Sequence, residues 1–224
     1  MPEDYTKAEA LFKGAESQDK GKAAELYRKV ADQGYAPAQE RLGILFAIGL
    51  GVPQDNAEAL SWLRKAAAQG NAAAQTYLGG MYKNGQGVPQ DYAKAMEWYR
   101  KAAAQGTATA QRNLGRMYEN GEGVSQDYAE AVAWYRKAVA DRDEDGAPFN
   151  LGVMYEKGRG VPQDAVVAYA LYNLSAIIDE WGGNPARTSR SDMLSRMTAA
   201  QIASGQALTQ QMQQVGVLKA LDAH

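Results

Sequence analysis

The chain of 224 residues contains no cysteine and only one histidine, His224, which is its last residue. The absence of cysteine excludes disulfides and thiolate metal sites. A single terminal histidine excludes a catalytic triad built on histidine and a metal site with several histidine ligands. We therefore expect no catalytic residues, no metal and no cofactor, and the sequence predicts a protein that is not an enzyme.

An excess of one charge and long apolar runs are also missing. The 24 basic and 26 acidic residues give a net charge of −2, which creates no overall field for nucleic acid or an anionic membrane. No apolar run approaches the roughly 20 residues that span a bilayer, and the first residues lack the pattern of a signal peptide. We expect no nucleic acid partner and no membrane insertion. The location is cytoplasmic as given, or periplasmic or secreted if a leader has been removed.

What the sequence does contain is a recurring block. Residues 57–92 align with residues 93–128 without a gap, and blocks that begin near Gly21 and Ala129 follow the same template. Self-similarity at a fixed period of this length is typical of a stacked repeat array, in which each unit packs only on its neighbours. We therefore expect repeated helical units rather than one central core.

Each block has the pattern of a helical hairpin. In one helix, Ala95, Trp98, Ala102 and Ala103 fall at helical spacing and predict a buried stripe. An aspartate precedes this helix in every block and is a good N-cap, because its carboxylate can accept from free amides of the first turn. These aspartates are Asp55, Asp91, Asp127 and Asp164. Glu58 and Glu130 follow their aspartates by three residues, which fits a capping box.

The other helix of each block carries the pattern L-G-x-x-Y. A glycine within a helix costs roughly 1 kcal/mol relative to alanine, so its recurrence predicts a neighbouring helix that leaves no room for a β-carbon. These glycines are Gly43, Gly79, Gly115 and Gly152. The recurring tryptophans fall on an inter-helix stripe, which favours core packing over a platform for stacking bases or sugars. They are Trp62, Trp98 and Trp134.

The link between blocks reads G-x-G-V-P-Q-D, for example from Gly85 to Asp91. Its glycines end one helix and its proline prevents that helix from continuing. The link lacks the G-K-[ST] of a P-loop and follows no strand, so a helix-ending turn is favoured over a phosphate site.

These residues resemble the Sel-1-like repeat family, a relative of the tetratricopeptide repeats. Residues 74–106 and 110–138 follow the family pattern from its alanine through L-G-x-x-Y, G-x-G-V and W-Y-x-K-A in order. The resemblance implies an all-α fold, a right-handed α/α superhelix (solenoid) of helical-hairpin repeats with about 12 helices. It covers residues 21–175, about four repeats of 36 residues and a partial fifth.

The two ends depart from the pattern. Residues 1–20 predict an N-terminal capping helix, and residues 176–224 predict C-terminal capping helices and a tail, because terminal units must face water. In the C-terminal part we expect a helix lengthened to about Glu180 and then two more, the last with Thr198 as its N-cap. The segment 141–146 is one residue longer than its counterparts, so its conformation is open.

Function is expected where the blocks differ from one another. The L-G-x-x-Y helix keeps its core positions and varies at the others, and in solenoids of this family the corresponding helices line a concave groove. The resemblance therefore implies a set of candidate partner-binding residues. They are Arg41, Tyr77, Lys83, Arg112, Asn113, Arg116, Glu119, Asn150 and Glu156.

The chemistry of these candidates suits peptide recognition. Asn113 and Asn150 offer amide groups that can hold an extended backbone, and Arg112 and Arg116 can bind a carboxylate. The leading hypothesis is a non-enzymatic scaffold or adaptor, a monomer, that binds a protein or peptide partner in its concave groove. The same columns would also vary if they were merely exposed.

Two further hypotheses remain open at the level of sequence. Residues 17–20 match S-x-x-K, the nucleophile motif of serine β-lactamases, and some cysteine-rich relatives in the family are described as β-lactam-binding. An enzyme or binder directed at β-lactams or peptidoglycan is therefore one alternative, although no K-T-G follows the motif. The other alternative is a purely structural module that self-assembles.

Overall fold

The computed structural model describes residues 2–14, 17–140, 146–178 and 185–224. Within these ranges the chain forms thirteen α-helices and no strand, against the expectation of about 12 helices. Their bounds are α1 Glu3–Phe12, α2 Ser17–Asp32, α3 Ala36–Ile48, α4 Asn56–Ala68, α5 Ala72–Asn84, α6 Tyr92–Ala103, α7 Ala108–Asn120, α8 Tyr128–Ala140, α9 Ala147–Lys157, α10 Ala165–Ile178, α11 Ala186–Leu194, α12 Ala199–Val215 and α13 Val217–Asp222.

The chain divides into two compact units, Met1–Gln105 and Gly106–His224. In unit 1, helices α1 to α6 pack in chain order, each against the next. In unit 2, helices α7 to α10 do the same, and α10 also contacts α11 and α12. The short α13 packs on α12 and returns to α8. Sequential packing of this kind is what a repeat array requires.

The aspartates that end the links cap the helices that follow them. Asp55 accepts from the amides of Ala57 at 2.8 Å and Glu58 at 3.0 Å, and Asp91 accepts from the amide of Lys94 at 3.0 Å. Glu58 does not complete a capping box, because its carboxylate accepts from Trp62 Nε1 at 3.0 Å instead. Asp127 and Asp164 each accept from two amides in the same way.

The link itself is held to the helix before it by its glutamine. Gln90 donates from Nε2 to the backbone oxygen of Lys83 at 2.8 Å, and Gln54 does the same to Ala47 at 2.8 Å. These bonds satisfy carbonyls at the end of a helix that have no intrahelical partner. Gly85 ends α5 in the left-handed conformation, at φ 69°, which glycine adopts without penalty.

The glycine within each L-G-x-x-Y helix faces a side chain of the next helix. A β-carbon at Gly79 would lie 2.5 Å from Cε1 of Tyr99, and one at Gly115 would lie 2.5 Å from Cε1 of Tyr135. Leu63 occupies the corresponding position against Gly43. The helices can approach this closely only because the glycine has no side chain.

In α6 and α8, which carry the W-Y pair, the fully buried aromatic residue is the tyrosine and not the predicted tryptophan. Tyr99 and Tyr135 are buried, whereas Trp98 and Trp134 are half-buried, and Trp98 packs against the outside of the buried cluster. Lys101 Nζ lies 4.3 Å from the ring centre of Trp98, and Lys137 covers Trp134 in the same way at 4.0 Å. Trp62, by contrast, is buried.

Buried glutamines join successive hairpins in unit 1. Gln39 donates to the backbone oxygen of Ala31 at 3.0 Å and accepts from Gln69 at 2.7 Å. Gln75 accepts from Gln105 at 2.8 Å in the corresponding arrangement. The side-chain amides of Gln39 and Gln75 are therefore hydrogen-bonded, as buried polar groups in a core need to be.

The C-terminal part contains one helix more than expected. Thr198 is confirmed as the N-cap of α12, where it forms a capping box with Gln201. The chain then continues into α13, whose Ala220 is fully buried. The end of the lengthened helix near Glu180 and residues 141–145 of the irregular joint lie outside the described residues.

Candidate functional site

The candidate residues lie on the helices that carry L-G-x-x-Y, which we call the LG helices: α3 and α5 in unit 1, and α7 and α9 in unit 2. Their leucines and glycines point into the core. We call the opposite, solvent-facing side of each LG helix its LG face. All nine candidate residues are half-buried or exposed and lie on these faces.

In unit 2, three of the candidates surround one buried tyrosine. The hydroxyl of Tyr135 donates to Glu119 Oε2 at 2.7 Å. Burial and the Glu119 carboxylate raise the pKa of Tyr135 above its ordinary value, while a hydrogen bond with Asn150 and the charge of Arg116 act in the opposite direction. Glu119 on α7 and Asn150 on α9 therefore meet at the hydroxyl of Tyr135, and Arg116 on α7 is near enough for its charge to act on that hydroxyl.

A second cluster in unit 2 repeats this arrangement. The hydroxyl of Tyr172 donates to Glu156 Oε2 at 2.7 Å, and Arg196 Nη2 donates to Glu156 Oε1 at 2.7 Å. Burial opposes ionisation of Glu156, but the hydrogen bonds from Arg196 and Tyr172 outweigh it and hold the pKa of the carboxyl below its ordinary value. Glu156 thus already binds two groups of its own chain.

Unit 1 contains the same combination at its N-terminal end. Tyr27 donates its hydroxyl to Glu9 Oε1 at 2.8 Å, and Arg41 Nε donates to the same oxygen at 3.0 Å. The hydroxyl of Tyr27 and the charge of Arg41 hold the pKa of Glu9 below its ordinary value, against the effect of burial. Arg41 also lies 4.0 Å from Glu40, and burial raises the pKa of Glu40.

The remaining candidates in unit 1 are not assembled in this way. Tyr77 and Lys83 lie on α5, and Tyr77 is 41% exposed. Lys83 occupies the position that Glu119 has in α7, and Ala47 occupies it in α3. Helices α3 and α5 therefore lack a carboxylate at the position of Glu119, and the cluster that includes Arg41 takes its carboxylate from Glu9 on α1.

Sequence reasoning missed the buried tyrosines and Arg196. Tyr135 and Tyr172 form the second half of the W-Y pair, and the pattern alone does not distinguish which aromatic side chain of the pair is buried. Arg196 is 40 residues from Glu156 in sequence, beyond the last repeat, so no periodic signal marks it. The recurrence of a carboxylate sixteen residues before a tyrosine, as in Glu119–Tyr135 and Glu156–Tyr172, was available in the sequence.

A pocket of about 280 Å³ adjoins the second cluster. Met193 and Met197 give it an apolar wall, and its polar groups are already bonded within the chain. Gln163 donates to the backbone oxygen of Glu156 at 2.8 Å, and Gln201 belongs to the capping box of α12. Among the described residues there is no group of acidic or histidine side chains suited to a metal ion. No described helix is long and apolar enough to cross a membrane.

Comparison with known proteins decides the family. The sequence model of the Sel1 repeat matches five successive stretches, residues 8–35, 36–71, 72–107, 108–142 and 147–177. The chain belongs to the Sel1 repeat family. The first matched repeat contains the end of α1 and all of α2, and each of the other four begins at an LG helix. No curated protein is similar enough to count as a match.

Solved structures with Sel1 repeats share the fold. A Sel1 repeat protein from Oxalobacter formigenes is 34% identical, with a TM-score of 0.68 over 79% of this chain and 73% of that one. The protective antigen c5321 of uropathogenic Escherichia coli, which displays an SLR fold, is 29% identical over 97% of this chain, with a TM-score of 0.57. This chain covers 54% of the antigen.

A third structure, a Sel1 repeat protein from Klebsiella pneumoniae, is 22% identical, with a TM-score of 0.56, over 85% of this chain and 91% of that one. It supports the fold alone. Together these likenesses confirm the predicted family and the all-α solenoid class. Sel1 repeat proteins are generally non-catalytic scaffolds for protein interactions.

Proposed function

We propose that this Sel1 repeat protein is a monomeric, non-enzymatic scaffold or adaptor that binds a protein or peptide partner through its LG faces. The observation that carries the proposal is the convergence of Arg116 and Asn150 near the Tyr135–Glu119 hydrogen bond. A guanidinium and an amide next to a fixed carboxylate offer donors and acceptors together, which is what a peptide backbone with a charged side chain requires.

The clusters refine the roles of the candidate residues. Glu119 and Glu156 each accept from a tyrosine of the same hairpin, so their first role is to fix the groups around them. Asn113 and Arg116 are not needed for those two bonds and lie on the exposed side of α7. We therefore assign contact with the partner to Asn113, Arg116 and Asn150 in unit 2.

Affinity capture with the double variant Asn113→Ala/Arg116→Ala tests this function. We expect the variant to lose partners that the unchanged protein retains, because it removes an amide and a guanidinium from the LG face of α7. The matched control is Gln206→Ala/Lys219→Ala, which also removes an amide and a cation, from exposed positions on α12 and α13. Recovery of the same partners by both variants, with unchanged helical content, would contradict the proposal.

A further inference from the structure

The LG faces of unit 1 expose apolar side chains. Ile48 on α3 is 56% exposed and Tyr77 on α5 is 41% exposed, and Ile44 is half-buried one turn before Ile48. Helices α3 and α5 contact each other within unit 1. Isolated apolar side chains at a surface are normal, but here large ones occur on the same side of two adjacent helices, where a binding surface is expected.

The exposed charges on these two helices have one sign. Arg41 on α3 and Lys83 on α5 are the cationic residues of the pair, and Glu40 is their only acidic residue. Glu40 is 8% exposed and therefore buried. Glu9, from α1, uses Oε1 for Tyr27 and Arg41. The side chain of Arg41 remains 42% exposed beside it. A guanidinium has five N–H donors, and the hydrogen bond from Nε to Glu9 uses one of them.

We propose that this surface of unit 1, formed by Arg41, Ile44, Ile48, Tyr77 and Lys83, binds an acidic peptide segment that carries apolar side chains. The inference rests on the proposed function and specifies the chemistry of the partner. Carboxylates of the segment pair with Arg41 and Lys83, and its aliphatic or aromatic side chains cover Ile48 and Tyr77.

Charge also distinguishes this occupant from a second copy of the chain. Two copies that pair through the same surface would enclose two sets of the same residues in one interface. That interface would contain Arg41 and Lys83 of both copies, and bringing four cations into it is unfavourable when solvent is removed. An acidic segment from another protein has no such cost.

Selection from a library of random dodecamer peptides displayed on phage tests the proposal with the full-length protein as target. We expect the enriched peptides to combine Asp or Glu with Leu, Ile, Phe or Trp. Lys83→Glu should weaken the best of them about tenfold or more, since it replaces an attraction by a repulsion, and Ile48→Ser/Tyr77→Ser should weaken them similarly. The control is Lys22→Glu, an equal charge reversal on α2 outside this surface, which should change the affinity less than twofold.

The results separate this inference from the proposed function. Peptides that lose affinity in Asn113→Ala/Arg116→Ala but show no acidic or apolar preference, and no response to Lys83→Glu, would overturn the inference and leave the function intact. Peptides unaffected by every LG-face variant, or no enriched peptides at all, would overturn both. A dimer in sedimentation equilibrium that Ile48→Ser/Tyr77→Ser dissociates would show a second copy on the surface. If Ile48→Ser/Tyr77→Ser does not fold, the peptide affinity of Lys83→Glu tests the proposal by itself.

Discussion

At the scale of single residues, the packing of α5 on α6, of α7 on α8 and of α9 on α10 depends on a glycine that faces a tyrosine ring. Gly79 has an ordinary helical backbone, so its identity is not required by a left-handed conformation. It is required by Tyr99, whose Cε1 would lie 2.5 Å from a β-carbon at Gly79. The same holds for Gly115 and Tyr135. These glycines set how closely neighbouring helices approach.

The neighbouring residue Gly80 provides a matched control for this steric requirement. A β-carbon at Gly80 would lie 3.7 Å from the hydroxyl oxygen of Tyr99, an ordinary contact. We expect Gly79→Ala to lower the free energy of unfolding by about 1–3 kcal/mol, since overpacking outweighs better helix propensity. Gly80→Ala should raise it by up to about 1 kcal/mol. Urea unfolding of both variants measures the difference, and equal effects would refute the steric explanation.

The W-Y pair shows what spacing in the sequence could not resolve. Trp98 and Tyr99 lie three and four residues after Ala95, and both spacings place a side chain on the same side of a helix. Tyr99 is the buried one because its ring fits over Gly79, a contact between two helices. Trp98 is left half-buried beneath Lys101. Periodicity identifies the buried side of a helix but not the central residue of that side.

At the scale of helices, a carboxylate connects several elements at once. Glu156 at the end of α9 accepts from Tyr172 on α10 and from Arg196, which follows α11. Glu9 on α1 similarly connects α2 through Tyr27 and α3 through Arg41. Because one ionised group accepts from two other segments and so joins three, the stability of these contacts should depend on pH.

The sign of this dependence follows from the lowered pKa of Glu156. The stabilisation of the folded protein by ionised Glu156 is fully present above the unfolded pKa of about 4.3. It is lost as the pH falls through the lower pKa of Glu156 in the folded state. We expect Tyr172→Phe to reduce the free energy of unfolding by about 1–2 kcal/mol near neutral pH. The variant should also lose less stability than the unchanged protein on acidification, because its Glu156 pKa is less depressed.

Urea unfolding at a series of pH values between about 7 and about 3 measures both effects. Glu156→Gln serves as the second variant, since it keeps the size of the side chain and cannot ionise. Of the three proteins, Glu156→Gln should lose the least free energy of unfolding as the pH is lowered. Parallel curves for all three would show that Glu156 does not contribute to the pH dependence of folding.

The helices inside the repeats could be predicted from the sequence, whereas of the helices after them α11 and α12 were predicted and α13 was missed. Each link contains an N-cap and a helix-ending glycine, such as Asp91 and Gly85, so local chemistry defines most boundaries. Beyond α10 the template ends. The helices α11 to α13 are positioned by long-range contacts instead, including the ion pairs of Arg196 with Glu156 and of Arg136 with Asp222. Such pairs leave no periodic signal.

At the scale of the whole molecule, each unit has its own buried cluster. That of unit 1 extends from Tyr5 to Met81, and the main one of unit 2 extends from Ala131 to Ala220. The repeats specified the family and the solenoid class, because they recur in one sequence. They did not specify the LG faces, where Ile48, Tyr77 and Lys83 of unit 1 differ from Glu119 and Glu156 of unit 2. Those faces depend on the residues that differ between repeats.

The repeat architecture predicts that damage to one repeat remains local. Leu151 in unit 2 and Leu42 in unit 1 are both fully buried, so replacing either by alanine should remove about 2–5 kcal/mol of local stability. In a repeat array, stability is approximately a sum of units and nearest-neighbour interfaces. We therefore expect Leu151→Ala to accelerate amide hydrogen exchange in α9 and α10 while α3 and α4 keep their protection. Leu42→Ala, the reciprocal control, should reverse this pattern. An equal loss of protection throughout the chain in both variants would mean that the molecule unfolds as one cooperative body, against the architecture of independent repeats.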